Sequence, residues 1–401
     1  MHIPAYICDA VRTPFVYEGG VLSSLRPEEL GAIPLMALMV RNPHIDWEQL
    51  NDVLYGCAYP SIRGGGSSAR LSNLLADVPA AVPGALINRF SGSGIDAVGS
   101  AARFIKSGEA SMIVAGGMDS MSQANRLNSA RRADGNAAST SVGNFEAVGL
   151  ENLLAQMEYG SLAMAESVER LAKEFNIERR SQDRFAYASH RKAYAAQQNG
   201  YFDAEITPIT IAQKNGDPLI VTRDGFPSRV SSAALAGMEP LSLDGGTITQ
   251  GNSAPAGDGA CALLLACENA AHKYSLMPKA RVLGMTAVNV SPDAMGIASA
   301  VAGRKVLVQT GLAMDEVGVI ELNEAYAAQA IAVLRDWRLQ DDDPRVNPNG
   351  GALALGHPLG ATGARLVLTA MHQLHRAKER YALCAMCAGA GQGIALVIER
   401  V

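Results

Sequence analysis

The feature that most constrains this chain is an internal repeat. Gly84-Ala85-Leu86-Ile87 stands shortly ahead of Ser91-Gly92-Ser93-Gly94, and Gly351-Ala352-Leu353-Ala354 stands shortly ahead of His357-Pro358-Leu359-Gly360. The two turns lie 266 positions apart, and Gly116 precedes Cys387 by 271. An offset that stays this nearly constant marks two duplicated halves. Duplication places Ser91 and His357 at equivalent turns that face one another. At 401 residues the chain also exceeds the size at which a single core stops growing, so two or three domains are expected.

Hydrophobic periodicity gives the same order of elements in both halves, and the alternation of strand and helix patterns specifies an α/β fold. The first half reads as a strand over 5–9, an Arg12-Thr13-Pro14 turn, a helix over 28–40, a strand over 52–57, the Ser91 turn with its helix, and a buried strand over 110–117. From residue 122 the composition shifts to Ser, Asn, Ala, Gly and Arg, which marks an exposed loop. Arg126, Arg131 and Arg132 there read either as a phosphate grip or as a solvated face. Helical stretches over 161–174 and 178–198 follow, then strands and turns around Asp217-Pro218 and Asp224-Gly225. Residues 122–244 are therefore expected to form an inserted loop domain. The first half comprises 1–121 and 245–273, the latter carrying an apolar run over 260–267 that closes the first sheet. The second half, 274–401, reads as a strand over 281–285, a helix over 303–309, a strand over 317–322, a Gly-rich turn into a helix, and a final strand over 381–386.

A formal charge of −5, with no basic stripe interleaved with aromatics, argues against a nucleic-acid partner. No apolar run approaches the length that spans a bilayer, and Met1 to Cys8 enters an apolar segment without a basic leader. A cytoplasmic protein with no membrane partner is expected. Six cysteines are sparse in this length and lie mostly in apolar runs, where reduced, buried thiols are the default. Cys384-x-x-Cys387 has no second pair or nearby His to complete a zinc set, and in a strand its two thiols point to opposite faces, so no metal site is expected.

Chemistry concentrates at the repeated turns. Asn88-Arg89-Phe90-Ser91-Gly92-Ser93-Gly94 lies between an apolar run and a helical pattern carried by Ile95, Val98, Ala102 and Ile105. The first N–H groups of such a helix are unpaired and favour developing negative charge. Ser91 then reads either as a nucleophile on this ground or as the cap of its helix. His357 precedes a helix in the same way. Cys387 begins Cys387-Ala388-Gly389-Ala390-Gly391-Gln392-Gly393, where glycines let a ligand approach the backbone. Asn323, at a strand end, has a carboxamide able to hold a water or an oxyanion. Singly, a core His, a buried Cys and a capping Asn are ordinary. Together, at repeat-related positions, they point to a site.

With those motifs in view the chain resembles the thiolase family. The likeness runs nearly end to end through Asn88 to Gly94, Asn323-Glu324-Ala325-Tyr326-Ala327, Asn347-Pro348-Asn349-Gly350-Gly351-Ala352, Gly356-His357-Pro358-Leu359-Gly360 and Cys387-x-Gly389-x-Gly391. Phrases such as Asp9-Ala10-Val11-Arg12-Thr13-Pro14 and Arg365-Leu366-Val367-Leu368-Thr369-Ala370 resemble the β-ketoadipyl-CoA and acetoacetyl-CoA thiolases. The resemblance implies a thiolase fold, with duplicated halves forming a five-layered αβαβα core, a loop domain that binds coenzyme A, and a homodimer or homotetramer. It implies an acyl-CoA C-acyltransferase that takes acyl-CoA and CoA as substrates and needs no cofactor. Carried over position by position, His357 activates the nucleophile at 91 and, with a water on Asn323, holds the thioester oxyanion. Cys387 exchanges a proton with the α-carbon of acetyl-CoA or with the CoA thiol. The N–H groups of residue 91 and Gly389 form a second oxyanion hole. Met164, Arg229 and Ser253 contact CoA.

The chain also departs from the family pattern. Ser91 stands where the family has its nucleophilic cysteine. A thiol with a pKa near about 8.5, lowered further beside a helix N-terminus, supplies thiolate, whereas a serine hydroxyl needs a base acting during attack. An acyl group on Ser91 would be an oxygen ester, reluctant to return to CoA. Gly251-Asn252-Ser253-Ala254-Pro255 replaces the usual Gly-Asn-Ala-Ser-Gly, Tyr326 replaces the commoner Phe, and Phe15-Val16-Tyr17-Glu18 lacks a glycine usual there. Three readings follow: a thiolase impaired by Ser91, as a natural variant or an introduced trap; a serine-dependent acyl-CoA hydrolase; and a CoA-ester-binding paralogue without turnover.

Overall fold

The computed structural model describes residues 3–61, 67–124, 164–213, 216–225, 230–241 and 245–401. Its strands are β1 (Tyr6–Arg12), β2 (Val16–Tyr17), β3 (Asp52–Gly56), β4 (Ala85–Ile87), β5 (Met112–Ser120), β6 (Ile209–Ile211), β7 (Leu219–Val221), β8 (Gly257–Ala266), β9 (Ala280–Asn289), β10 (Val317–Leu322), β11 (Tyr381–Ala388) and β12 (Gln392–Arg400). The main sheet runs in the order β10-β11-β12-β9-β1-β8-β5-β3-β4, with β2 beside β8.

Read outward from its middle, this order is the same in both directions. On one side β1, β8 and β5 pair antiparallel, then β5, β3 and β4 pair parallel. On the other, β9, β12 and β11 pair antiparallel, then β11 and β10 pair parallel, and Val346 bridges Ile320 in parallel where β4 has its counterpart. A short antiparallel pairing, Tyr6 with Arg281 and Ile7 with Ala280, joins the halves. The repeat in the sequence is thus a repeat in strand order and direction.

The strand expected to be last, over 381–386, is not the end of the sheet. Beyond Gly389-Ala390-Gly391 the chain turns back as β12, which lies between β11 and β9 and is the counterpart of β8. The run Ile394 to Ile398 is wholly buried between these neighbours. Continuous apolar residues of this kind signal a strand buried on both faces. The helix expected over 303–309 starts earlier, at Ala298, and ends at Thr310.

Two helices lie between the halves. Ser93–Ser107 and Leu359–Ala377 pack on each other, and each touches strands from both halves of the sheet. The second is buried without a break from Leu359 to Met371, as expected of a helix enclosed all round. Their close approach depends on glycine: a Cβ on Gly94 would lie 2.5 Å from the Ala364 nitrogen, and one on Gly363 would lie 2.6 Å from the Ile95 nitrogen. Pro27–Arg41 covers the outer side of β5 and β8, and Ala298–Thr310 covers the outer side of β9 and β12. Helix, sheet, helix pair, sheet and helix make five layers.

The intervening segment contributes the helices Met164–Glu174 and Arg179–Gln198, which pack on Ala327–Asp336 of the second half, and the β6–β7 hairpin. Arg12 ties this segment to the first half. Its Nε bonds Glu205 at 3.0 Å and its two Nη atoms bond Asp224 at 2.6 and 2.8 Å, all buried. All six cysteines are buried thiols, with Cys384 and Cys387 in separate apolar clusters. Among the described residues, no helix is long and apolar enough to cross a membrane, and no group of His, Cys, Asp or Glu is placed to hold a metal ion.

Candidate active site

Ser91 is held by the turn that follows β4. The Asn88 Oδ1 accepts from the Phe90 nitrogen at 2.9 Å and the Asn88 amide donates to the Ala58 carbonyl at 3.2 Å, while Phe90 takes a left-handed φ of +49°. The helix starts at Ser93, with Gly92 in the cap position and no side chain capping it. Ser93, not Ser91, serves the turn, its Oγ accepting from the Arg89 nitrogen at 2.8 Å. The Ser91 hydroxyl, 2% exposed, instead donates to the Cys387 carbonyl at 3.0 Å. Of the two readings of Ser91, the capping one is not realised.

His357 is fixed from both ends. Its nitrogen donates to the Pro255 carbonyl at 2.9 Å, and its Nδ1 lies 2.7 Å from Thr362 Oγ1, one turn into the following helix. Thr362 spends its own proton on the Pro358 carbonyl at 2.8 Å. The hydroxyl must therefore accept from the ring, so Nδ1 carries the hydrogen and Nε2 a lone pair. Nε2 faces the Asn323 Nδ2 at 3.3 Å. Burial, reinforced by the Arg365 cation, pushes the imidazole down to about 3, so it is neutral at ordinary pH.

Asn323 follows β10 and is fully buried; its nitrogen donates to the Ala385 carbonyl of β11 at 2.9 Å. The Asn323 Oδ1 is buried without a hydrogen-bond partner among the described residues, which leaves it free to accept from a bound group or water. The next residue explains its rigidity. The Glu324 carboxylate accepts from Ser189 Oγ and from Asn347 Nδ2, each at 2.6 Å, and burial raises its pKa. Asn347 also grips Leu322 through both its backbone groups, at 2.9 and 2.8 Å. A Cβ on Gly351 would collide with the same carboxylate. Two of the motifs thus build the shelf on which Asn323 sits.

Cys387 is buried near the end of β11, opposite Gly393. Its cluster holds Tyr326 and Ala298, and Val290, Ile297 and Met164 pack against it. The turn after it uses two left-handed residues, Ala390 at φ +61° and Gly391 at φ +78°, and the Gln392 amide donates to the Gly389 carbonyl at 3.1 Å. The segment 253–256 closes the site from the first half. Ser253 bridges Tyr326, Ala254 donates to the Ala325 carbonyl, and Ala256 bridges His357.

Ser91 therefore meets Cys387, and Asn323 meets His357, with Gly389 in the turn after Cys387. Met164 reaches the Cys387 cluster, whereas Ser253 has its hydroxyl donated to the Thr249 carbonyl at 2.6 Å. Arg229, Arg126, Arg131 and Arg132 lie outside the described residues. Sequence reasoning missed Thr362 and Asp119. Asp119, at the buried end of β5, accepts from Cys57 Sγ and from the backbone nitrogens of Ala58, Tyr59 and Gly360, joining the His357 turn to the first half. A lone carboxylate in an apolar strand was its signal; for Thr362 it was a hydroxyl one helical turn beyond a histidine.

A duplicated α/β fold in which a buried hydroxyl meets a strand-end carbonyl across the halves, and a neutral imidazole meets a carboxamide, suits acyl-transfer chemistry. The thiolase N-terminal domain model matches residues 5–269, and the thiolase C-terminal domain model matches 276–400. A β-ketoadipyl-CoA thiolase of Acinetobacter baylyi is 46% identical over 400 residues, covering 99% of each chain. A 3-oxoadipyl-CoA/3-oxo-5,6-dehydrosuberyl-CoA thiolase of Escherichia coli is 44% identical over 403 residues, again with 99% of each. The crystal structure of the Bacillus anthracis acetyl-CoA acetyltransferase superposes with a TM-score of 0.88 at 31% identity, covering 100% of this chain and 99% of that one. This chain belongs to the thiolase family and is an acyltransferase with the thiolase fold.

Proposed function

We propose that the protein cleaves a 3-oxoacyl-CoA with CoA to give acetyl-CoA and a shortened acyl-CoA, or runs the reverse condensation, with Ser91 as an impaired nucleophile. The observations that support this reading are the contact of Ser91 Oγ with the Cys387 carbonyl at 3.0 Å and the Asn323–His357 contact at 3.3 Å, whose residues supply one group for each step. The 46% identity to a β-ketoadipyl-CoA thiolase makes 3-oxoadipyl-CoA the first substrate to try.

In the first step the Ser91 oxygen attacks the 3-oxo carbon and its proton passes to the lone pair of His357 Nε2. The oxyanion is held by the N–H groups of Ser91 and Gly389. The bond between C2 and C3 then breaks, leaving the acyl group on Ser91 and the enolate of acetyl-CoA. His357 Nε2–H and a water on Asn323 steady that enolate, and Cys387 protonates its carbon. In the second step Cys387 takes the proton of CoA, the CoA sulfur attacks the acyl carbon, and the Ser91 oxygen leaves, taking back the proton held on His357 Nε2. With serine the acyl-enzyme is an ester, so the second step runs from a less activated to a more activated acyl group and is slow. Met164 and Arg229 serve the CoA substrate, and Ser253 contributes its oxygen as an acceptor. No bound cofactor is required, and the enzyme works in the cytoplasm as a homodimer or homotetramer.

The test is the intact mass of the protein and of a Ser91→Cys variant after incubation with acetoacetyl-CoA and 3-oxoadipyl-CoA, alongside thiolysis rates. A stable acyl adduct on the first protein, with turnover restored by orders of magnitude in the variant, is the expected result. Steady CoA release without an acceptor would show a hydrolase instead, and CoA-ester binding with no adduct or turnover in either form would show a binding protein.

A further inference from the structure

The two N–H groups assigned above to an oxyanion hole belong to turns from opposite halves of the chain. One carries Phe90 at φ +49°, the other Ala390 at φ +61°, and left-handed residues with a Cβ persist only where their surroundings hold them. The hydrogen bonds that cross between these turns include two from side chains of the Ser91 turn. The first is Ser91 Oγ to the Cys387 carbonyl; the second is Arg89 Nη1 to Gln392 Oε1 at 2.8 Å. The first is given up when the Ser91 oxygen takes an acyl group, because its proton is gone.

We propose that Arg89 and Gln392 are positioning residues, a clamp that keeps the N–H groups of Ser91 and Gly389 at one spacing while residue 91 is acylated. The inference rests on the acyl-transfer reading. Each end of the clamp is anchored. Arg89 Nε is held by Asp96 Oδ2 at 2.7 Å, in the first turn of the Ser93–Ser107 helix, so the planar guanidinium cannot rotate and Nη1 aims across the interface. Gln392 accepts with Oε1 and donates with Nε2 to the Gly389 carbonyl at 3.1 Å, so the same amide fixes the plane of the peptide next to the Gly389 N–H. An oxyanion hole stabilises charge only if its donors are preset at the oxyanion's position, so a loosened clamp lowers the chemical step without weakening substrate binding.

The test uses the Ser91→Cys variant as parent, with Gln392→Met, Arg89→Lys and the pair added. Expected is a fall of about 10- to 100-fold in kcat for thiolysis in each single variant, roughly 1.4–2.7 kcal/mol. KM should stay within about threefold, and the double variant should be no worse than the weaker single. A loss confined to KM, or a double variant whose loss is the product of the two singles, overturns the clamp. Hydrogen exchange of the amides from 387 to 393 supplies a readout independent of activity: protection should drop there in both single variants with unfolding midpoints unchanged. If the parent itself does not turn over, the acyl-transfer reading fails, and unchanged exchange at 387–393 then overturns the clamp separately.

Discussion

Thr362 Oγ1 lies 2.7 Å from His357 Nδ1 and donates its own proton to Pro358, so the threonine selects the tautomer of the histidine. The bare Nε2 then looks to Asn323, and the site rests with a base that is neutral and oriented. Replacing Thr362 with Val leaves a buried Nδ1–H without an acceptor and frees the ring to turn. In the Ser91→Cys background, Thr362→Val should slow acylation by about 10- to 100-fold, while Thr362→Ser should stay near the parent. Single-turnover acylation rates check this.

Asn323 offers one buried amide whose Oδ1 has no partner and whose Nδ2 meets His357. Under the proposed mechanism its removal costs the water held at the enolate's oxygen. Asn323→Ala in the same background is expected to lower kcat by about 10²- to 10³-fold, as loss of one oxyanion donor does, with KM little changed. Steady-state kinetics with acetoacetyl-CoA would show it; a rise in KM at constant kcat would assign Asn323 to binding instead.

The contact between the two interior helices is set by glycine. Gly94→Ala and Gly363→Ala would each push a Cβ to within 2.5 or 2.6 Å of a backbone nitrogen that cannot move aside. Each should cost about 1–3 kcal/mol or more in urea unfolding. Gly237→Ala is the control: its Cβ would meet the Ala233 carbonyl at 3.5 Å, an ordinary contact, and its φ of −82° suits any residue. It should shift stability by less than about 0.5 kcal/mol.

Burial of His357 also makes stability depend on pH. Its folded pKa, down at about 3, lies below that of the unfolded chain, near about 6.5. The unfolded state therefore binds a proton that the folded state refuses between these values. The contribution is intact above about 6.5 and is lost as pH falls toward about 3, by up to about 1.4 kcal/mol per pH unit. His372, lowered to about 4 by burial and by Lys279, adds to the same slope. Urea unfolding from pH 7 to 4 should show a shallower fall in His357→Asn than in the parent; equal slopes would mean that His357 titrates normally.

Both halves of the fold were legible because duplication leaves its trace in the order of residues. The offset between Ser91 and His357 announced the symmetry that β1, β8 and β5 share with β9, β12 and β11. What was read short was β12: glycines at 389 and 391 look like an end, and only pairing on both sides with β11 and β9 turns Ile394 to Ile398 into an interior strand.

Of the site, the sequence alone determined which chemical groups were available: Ser91, His357, Cys387 and Asn323, each at a turn or strand end. The tertiary structure decided what each group does with its hydrogen bonds. Ser91 donates to Cys387, 296 residues away, instead of capping its own helix, and Thr362 fixes the proton on His357. Asp119 reaches 241 residues to the Gly360 nitrogen, and Arg89 reaches 303 to Gln392. Residue identity supplies donors and acceptors, and local spacing can pair only those on the same turn. Partners hundreds of residues apart are chosen by the packing of the two halves.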